Sequence, residues 1–306
     1  MLIEAAKKLS PLERFLYWIR ERHTIYCKKE SGQPKPWTDD EILQKYFFCN
    51  VYREADKTTV WFKKNIRDPL KNSPDVVMAT IIFRWFNLPS TIKSIMSFNT
   101  RQPTKPFGML QNWDRTAVYR VLKGLRENGC QIFTGAYMIN SPANEGKLEA
   151  ICRRIDQVWK DRHTILEWVE RSYNNRSMQG LHSVLTRYEG LGGFMAYEIV
   201  CDLRYTYVLR AAPDKLTWCN PGPGAIRGLY RVFDRDFVKG NNASAPKLPE
   251  DWTERTQELL GIVQSRFPTM PTFEMREIEH SLCEADKYSR LLFNDGRAKR
   301  TYNGRG

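Results

Sequence analysis

Apolar residues recur at helical spacing along most of the chain. Ser10-Pro-Leu-Glu13 is a capping box with proline at the first helical position. Phe15, Leu16, Trp18, Ile19 and Ile25 extend that helix to about Tyr26, with Arg14, Arg20, Glu21 and Arg22 on its other face. Residues 32–36 read as a loop. Thr38-Asp-Asp-Glu41 is a second capping box, opening a helix through Ile42, Leu43, Tyr46 and Phe47. Residues 74–98 read as helix, opened by Ser73-Pro74 and interrupted near Pro89. Residues 112–128 form another, stopped by Gly129, and residues 148–173 another. Residues 131–139 are the one stretch that reads as extended. Residues 239–250 are a surface loop, 252–267 and 272–292 are helices, and 294–306 are a basic, glycine-rich tail expected to be mobile.

The pattern centres on residues 182–229. Leu181, Val184 and Leu185 precede a glycine cluster, and Met195, Ala196, Ile199, Val200 and Leu203 follow it, both at helical spacing. Gly190, Gly192 and Gly193 permit a tight turn, so the stretch reads as helix, hairpin, helix, the second helix opening near Gly193. Free N–H groups at such an opening make an anion site, for which a nucleic-acid phosphate is a candidate; a plain helix–helix turn is the alternative. Asp214 follows Gly192 by 22 residues. Gly222-Pro-Gly224 is rigid and can bring backbone close to a ligand, or is an ordinary loop.

Composition adds a partner. Lys and Arg outnumber Asp and Glu by 48 to 35, a net charge of +13, which favours an anionic partner such as nucleic acid. Nine Trp and 14 Tyr offer stacking surfaces, though most serve the core. Seven scattered cysteines show no Cys-x-x-Cys and no His/Cys cluster along the chain, so neither a disulfide frame nor a zinc site is expected, and no cofactor. No signal-peptide run or stretch of about 18 apolar residues occurs, so a cytoplasmic protein without a membrane partner is expected. The P-loop consensus and the dinucleotide-binding glycine pattern are absent from these 306 residues.

The last helix is dense in chemistry. Glu279, Cys283, Asp286 and Arg290 share one face at 3.6 residues per turn, and His280, Glu284 and Lys287 the adjacent one, with Ile278, Leu282 and Ala285 as the buried stripe. The ordinary reading of such a helix is a salt-bridged surface. Asn50 and Arg53, three apart, either tie helices together or take part in chemistry.

Four stretches together, Glu13–Arg22 with Pro36–Asp40, Phe48–Arg53, Asn220–Leu229 and Ile278–Tyr288, resemble the thymine pyrophosphorylase (amino acid:DNA transferase) group. The helical domain of 5-hydroxymethyluracil DNA kinases has a similar pattern, and the hairpin followed by Asp214 resembles the helix-hairpin-helix DNA glycosylases. The resemblance implies a mostly α fold like that of those glycosylases, one catalytic domain over residues 1–306, with lobes at 1–173 and 174–293 around a cleft. It implies transfer of a free amino acid onto a phosphorylated 5-hydroxymethyluracil in double-stranded DNA, a phage base hypermodification that evades restriction. Gly190, Gly192 and Gly193 would hold a backbone phosphate, with Asn220, Gly222 and Gly224 nearby. Arg227 and Lys287 would meet the leaving group, and Glu279, His280 or Asp286 would act as base. Arg20, Asn50 and Arg53 would bind the substrates. Two alternatives stand beside transfer. One is a glycosylase that uses Asp214 against the sugar, although aligning Arg227 on the arginine that often follows that acid places Gly222 at the acid's position. The other is a DNA-binding module without chemistry.

Overall fold

The structure, a computed structural model, describes residues 2–97, 107–135, 141–172, 176–237, 246–296 and 301. The chain is mostly helical, and no strand forms among the described residues. It divides into two compact units. One joins Met1–Lys57 to Lys215–Gly306, and the other is Thr58–Asp214. The boundary expected at 173/174 therefore falls inside the second unit, because the helices on either side of the glycine turn belong with that unit's core.

In the first unit, Pro11–Glu30 is the opening helix, and Ser10 Oγ accepts the Glu13 N–H at 3.2 Å as the capping box predicts. The second box works differently. Asp40, not Thr38, caps the next helix, accepting the N–H groups of Ile42 and Leu43. That helix is short, Glu41–Lys45, since Tyr46 is already extended. Trp252–Arg266 and Met275–Leu292 occupy the predicted places. Pro223–Val232 lies so close to Met275–Leu292 that a Cβ on Gly228 would stand 2.2 Å from the Leu282 carbonyl oxygen. Glycine at 224 and 228, one turn apart, lets the two helices close up, Gly228 against the Leu282 backbone and Gly224 against the Cys283 side chain.

The second unit is built on Asp75–Phe86, where residues 76–86 are all buried. Asn87 ends it with φ +47, two residues before the next helix, Pro89–Ser97. Arg115–Glu127 and then Lys147–Lys160 and Arg162–Arg171 follow. The described part of the expected extended stretch, residues 131–135, forms no strand. Its backbone bonds instead to Phe86 O and Thr91 Oγ1. Residues 136–139 of that stretch lie outside the described residues, as do 239–245 of the loop and most of the tail.

Met178–Leu185 and Gly193–Leu203 flank the glycine turn, and the second helix packs on Asp75–Phe86. Only one of the three glycines has a positive φ. Gly190 has φ +79, and a Cβ there would meet the Trp85 ring at 2.4 Å and Arg154 Cδ at 2.9 Å. Gly192 has open space around its Cβ position, and both it and Gly193 are exposed. Glu189 clamps the turn through Arg153 (2.7 Å) and Arg154 (3.0 Å). These arginines hold its carboxyl down from 4.5 to about 2. Its contribution to stability is thus complete above 4.5 and is lost as pH falls through about 2. Glu189 itself is exposed although Arg154 is buried, so Glu189→Gln is expected to cost only ~0.5 kcal/mol near neutral pH. Melting curves of variant and wild type should converge in strong acid, and a gap that persists there would deny the pairing.

Candidate active site

The last helix, Met275–Leu292, is not a salt-bridged surface. Arg276, Glu277, Glu279, Glu284 and Asp286 are all buried alongside Ile278, Leu282 and Ala285. Ionised groups are withdrawn from water at a cost of several kcal/mol each unless paired, so so many on one helix mark a built site rather than filler. A reciprocal capping box, Glu274 with Glu277, fixes the helix start.

Two segments of the same unit supply the partners. The entry to Pro223–Val232 faces Glu279. Oε1 accepts the Gly222 N–H at 3.3 Å, while Oε2 takes Arg276 at 2.7 Å. Burial raises the Glu279 pKa, against the pull of Arg276 and Arg53. A carboxylate moved toward neutrality is a stronger base than one in water. Next to it, burial together with Arg276, Arg53 and Lys287 drives His280 well below its usual value, so the imidazole is neutral. Its Nε2 is shut off from solvent and has no hydrogen-bond partner.

The second segment is the irregular run 48–56. The Cys49 N–H donates to Glu284 Oε2 at 3.0 Å, and that oxygen also takes Lys287 Nζ at 2.6 Å. Lys287 stands over the Phe48 ring at 4.5 Å. Asn50 is a structural hub. Its N–H donates to Asp56 Oδ1 (3.1 Å), its Nδ2 to Ala55 O (3.0 Å), and its Oδ1 accepts from Arg22 (2.5 Å). Of the two readings left open for Asn50, tying segments together is what its contacts do.

A third group lies one to two turns along the helix. Asp286 is fully buried and accepts Nε of Arg227 (3.1 Å), Arg231 (2.9 Å) and Arg290 (3.1 Å). Arg231 also pairs with Asp295 at 2.7 Å, so three guanidinium groups meet two carboxylates and keep a net positive charge, each arginine about a quarter exposed. Asp286 thus organises three arginines, with both oxygens already engaged, and Arg227 sits where an anion is favoured.

The other expected site residues fare unevenly. Gly224 admits the last helix, not a ligand, because its Cβ position is 2.5 Å from Cys283 Sγ. Asn220 is half-buried in the loop before Gly222. Arg20 is exposed beside Tyr17, with its guanidinium 5.9 Å from that ring. Arg22, two residues on, is the arginine that reaches the 48–56 run. Asp214 lies in the second unit, where its two oxygens accept the N–H groups of Met178 (2.8 Å) and Gln179 (2.9 Å). It anchors the start of the Met178–Leu185 helix. Asp214→Asn is expected to cost ~1 kcal/mol, as loss of a helix-start acceptor does, without abolishing chemistry. A melting shift with activity kept would fit, and total loss of activity in a folded variant would make Asp214 catalytic.

Arg276, Arg231, Cys49 and Asp56 were not singled out beforehand, and Glu284 was placed only on a helix face. The Arg276–Glu279 and Arg227–Arg231 spacings were readable signals, since residues three or four apart share a helix face. Cys49 and Asp56 carried none, because their partner His280 is more than two hundred residues away.

A mostly helical chain with a strong positive charge and a buried acid–imidazole–arginine centre is the class defined so far. The chain belongs to the family described as 5-hmdU DNA kinase, helical domain, which matches residues 10–298. It is 25% identical over 289 residues to the 5-hmdU DNA kinase of Bacillus phage SP10, a match covering 90% of this chain and 44% of that protein. The chain thus spans less than half the length of that relative. No solved structure matches. Among the described residues no helix is long and apolar enough to cross a membrane.

Proposed function

We propose that this chain is an enzyme of phage DNA base modification that transfers a free amino acid to a phosphorylated 5-hydroxymethyluracil in double-stranded DNA. The buried Glu279, its pKa raised and its second oxygen steered by Arg276, is the observation that carries the reading. Membership of the kinase helical-domain family supports DNA containing 5-hydroxymethyluracil as the substrate. The P-loop consensus is absent from these residues, which points away from nucleotide-driven phosphoryl transfer within them.

In the reaction the target base leaves the stack, at a few kcal/mol. The amine of the amino acid forms a bond to the 5-methylene carbon as the carbon–oxygen bond to phosphate breaks. Phosphate or pyrophosphate departs with the electron pair, and the amine proton passes to Glu279. The Arg227–Arg231–Arg290 cluster receives the departing charge, which is the largest kind of catalytic contribution in such sites. Glu279 and Asp286 are seven residues apart, so base and arginine cluster stand about 10 Å apart along the helix, room for a pyrophosphate. Arg53 takes the carboxylate of the amino acid. The exposed N–H groups at Gly192 and Gly193 hold a backbone phosphate in the manner of a helix-hairpin-helix glycosylase.

The test is direct. Duplex DNA bearing 5-phosphomethyl- or 5-pyrophosphomethyl-deoxyuridine is incubated with the chain and each standard amino acid, digested to nucleosides and weighed by mass spectrometry. A nucleoside heavier by one amino-acid residue is expected, and no adduct with any of them would defeat the reading.

A further inference from the structure

We propose that Cys49, Asp56 and His280 form a binding site for one divalent transition-metal ion, with zinc as the best match. One donor atom from each lies within 4.8 Å of the others. The proposal does not depend on amino-acid transfer.

The donors are arranged as ligands rather than as a hydrogen-bonded network. His280 Nε2, closed to solvent, has no partner. The other ring nitrogen is engaged by the Asn50 backbone, which leaves the Nε2 lone pair for an ion. Asp56 has Oδ1 occupied by the Asn50 N–H, which orients the carboxylate and leaves Oδ2 over. Cys49 is unpaired, and its backbone N–H is pinned by Glu284, so its thiol is positioned by the main chain. Asn50 thus orients two of the three ligands and is itself locked by Arg22 and Ala55. Such support around the ligands is the usual companion of a metal site.

The donor set selects the ion. A sulfur, an imidazole and one carboxylate suit zinc, whereas magnesium and calcium prefer oxygen alone. Zinc–ligand bonds of about 2.0–2.3 Å place tetrahedral donors about 3.5 Å apart, so closing on an ion needs movements of about 1 Å or less. Binding releases the thiol proton to solvent. The thiolate and carboxylate then balance the two positive charges of the ion, which suits a neighbourhood already containing Arg53, Arg276 and Lys287. Three protein donors leave a fourth position for an exchangeable oxygen, the pattern of a reactive site rather than a structural one.

Cobalt(II) is the probe, because a cobalt–thiolate bond absorbs in the near ultraviolet. Titrating the chelator-stripped full chain is expected to give that band at one equivalent, displaced by one equivalent of zinc. The competing thiols are Cys27, 3.5 Å from His23, the exposed Cys130 and the half-buried Cys283. The band should survive Cys27→Ser with Cys130→Ser, and also Cys283→Ser, and vanish in Cys49→Ser. Asp56→Asn, close in shape and able to keep the Asn50 contact, should retain the fold and weaken cobalt at least tenfold. That variant decides the matter if Cys49→Ser fails to fold. No thiolate band, a band that outlasts Cys49→Ser, or unchanged affinity in Asp56→Asn would overturn the site.

Discussion

Glu279→Gln should abolish most of the transfer while leaving DNA binding intact. Glutamine keeps the shape, and its one oxygen still accepts from Arg276, while its NH2 forfeits the 3.3 Å bond from the Gly222 N–H, a small loss for the surrounding helices. What it loses is the capacity to take a proton. Loss of a positioned base typically slows a reaction by about 10²–10⁴. The loss should appear in the single-turnover rate at saturating DNA and amino acid, not in the affinity for duplex. Burial lets one atom matter this much. In water a carboxylate is a weak base, whereas here desolvation raises its proton affinity, with Arg276 and Arg53 opposing. A variant with a near-normal rate would remove Glu279 from the chemistry and return the helix to a structural role.

The largest effect on stability is expected in the second unit. Arg84 and Asp202 are almost wholly buried and form a two-pronged pair, with Arg84 Nη2 at 2.6 Å from Oδ1. The pair ties the end of Asp75–Phe86 to the end of Gly193–Leu203, the helix that opens at the glycine turn. Arg84→Ala strands a carboxylate in the core, which costs about 3–5 kcal/mol. For a unit of this size that is a fall in melting temperature of roughly 10 °C. Replacing both, Arg84→Met with Asp202→Leu, should recover most of it, since the penalty is the unpaired charge rather than the lost attraction. Equal losses in the single and double variants would contradict this.

The contrast between these residues explains what the chain disclosed in advance. Arg84 sits in a run of apolar residues, and nothing local marks Asp202 as its partner, because 118 positions separate them. Helix limits were legible where a local signal existed, as with the Ser10 cap, Asn87 before Pro89, and Gly129 with φ +76. They were misread where two caps competed, and Asp40 displaced Thr38 because its carboxylate reaches two N–H groups at once. The face partition of the last helix followed from its period alone. Its burial did not, since that depends on Gly224 and Gly228 letting Pro223–Val232 close over it. Glycines also misled in the turn. Three looked alike along the chain, yet only Gly190 has both the positive φ and Trp85 against it. Asp214 had the right interval for a catalytic acid, but interval carries no direction, and its carboxylate faces a helix start.

Phosphate release tests the central claim most directly. Duplex DNA with a labelled phosphate or pyrophosphate on the 5-methylene carbon is mixed with the chain, with and without the amino acid that gives an adduct. Release of label that requires the amino acid, in DNA that remains free of abasic sites, is the predicted result. Abasic sites formed without any amino acid, or label released equally in its absence, would contradict it.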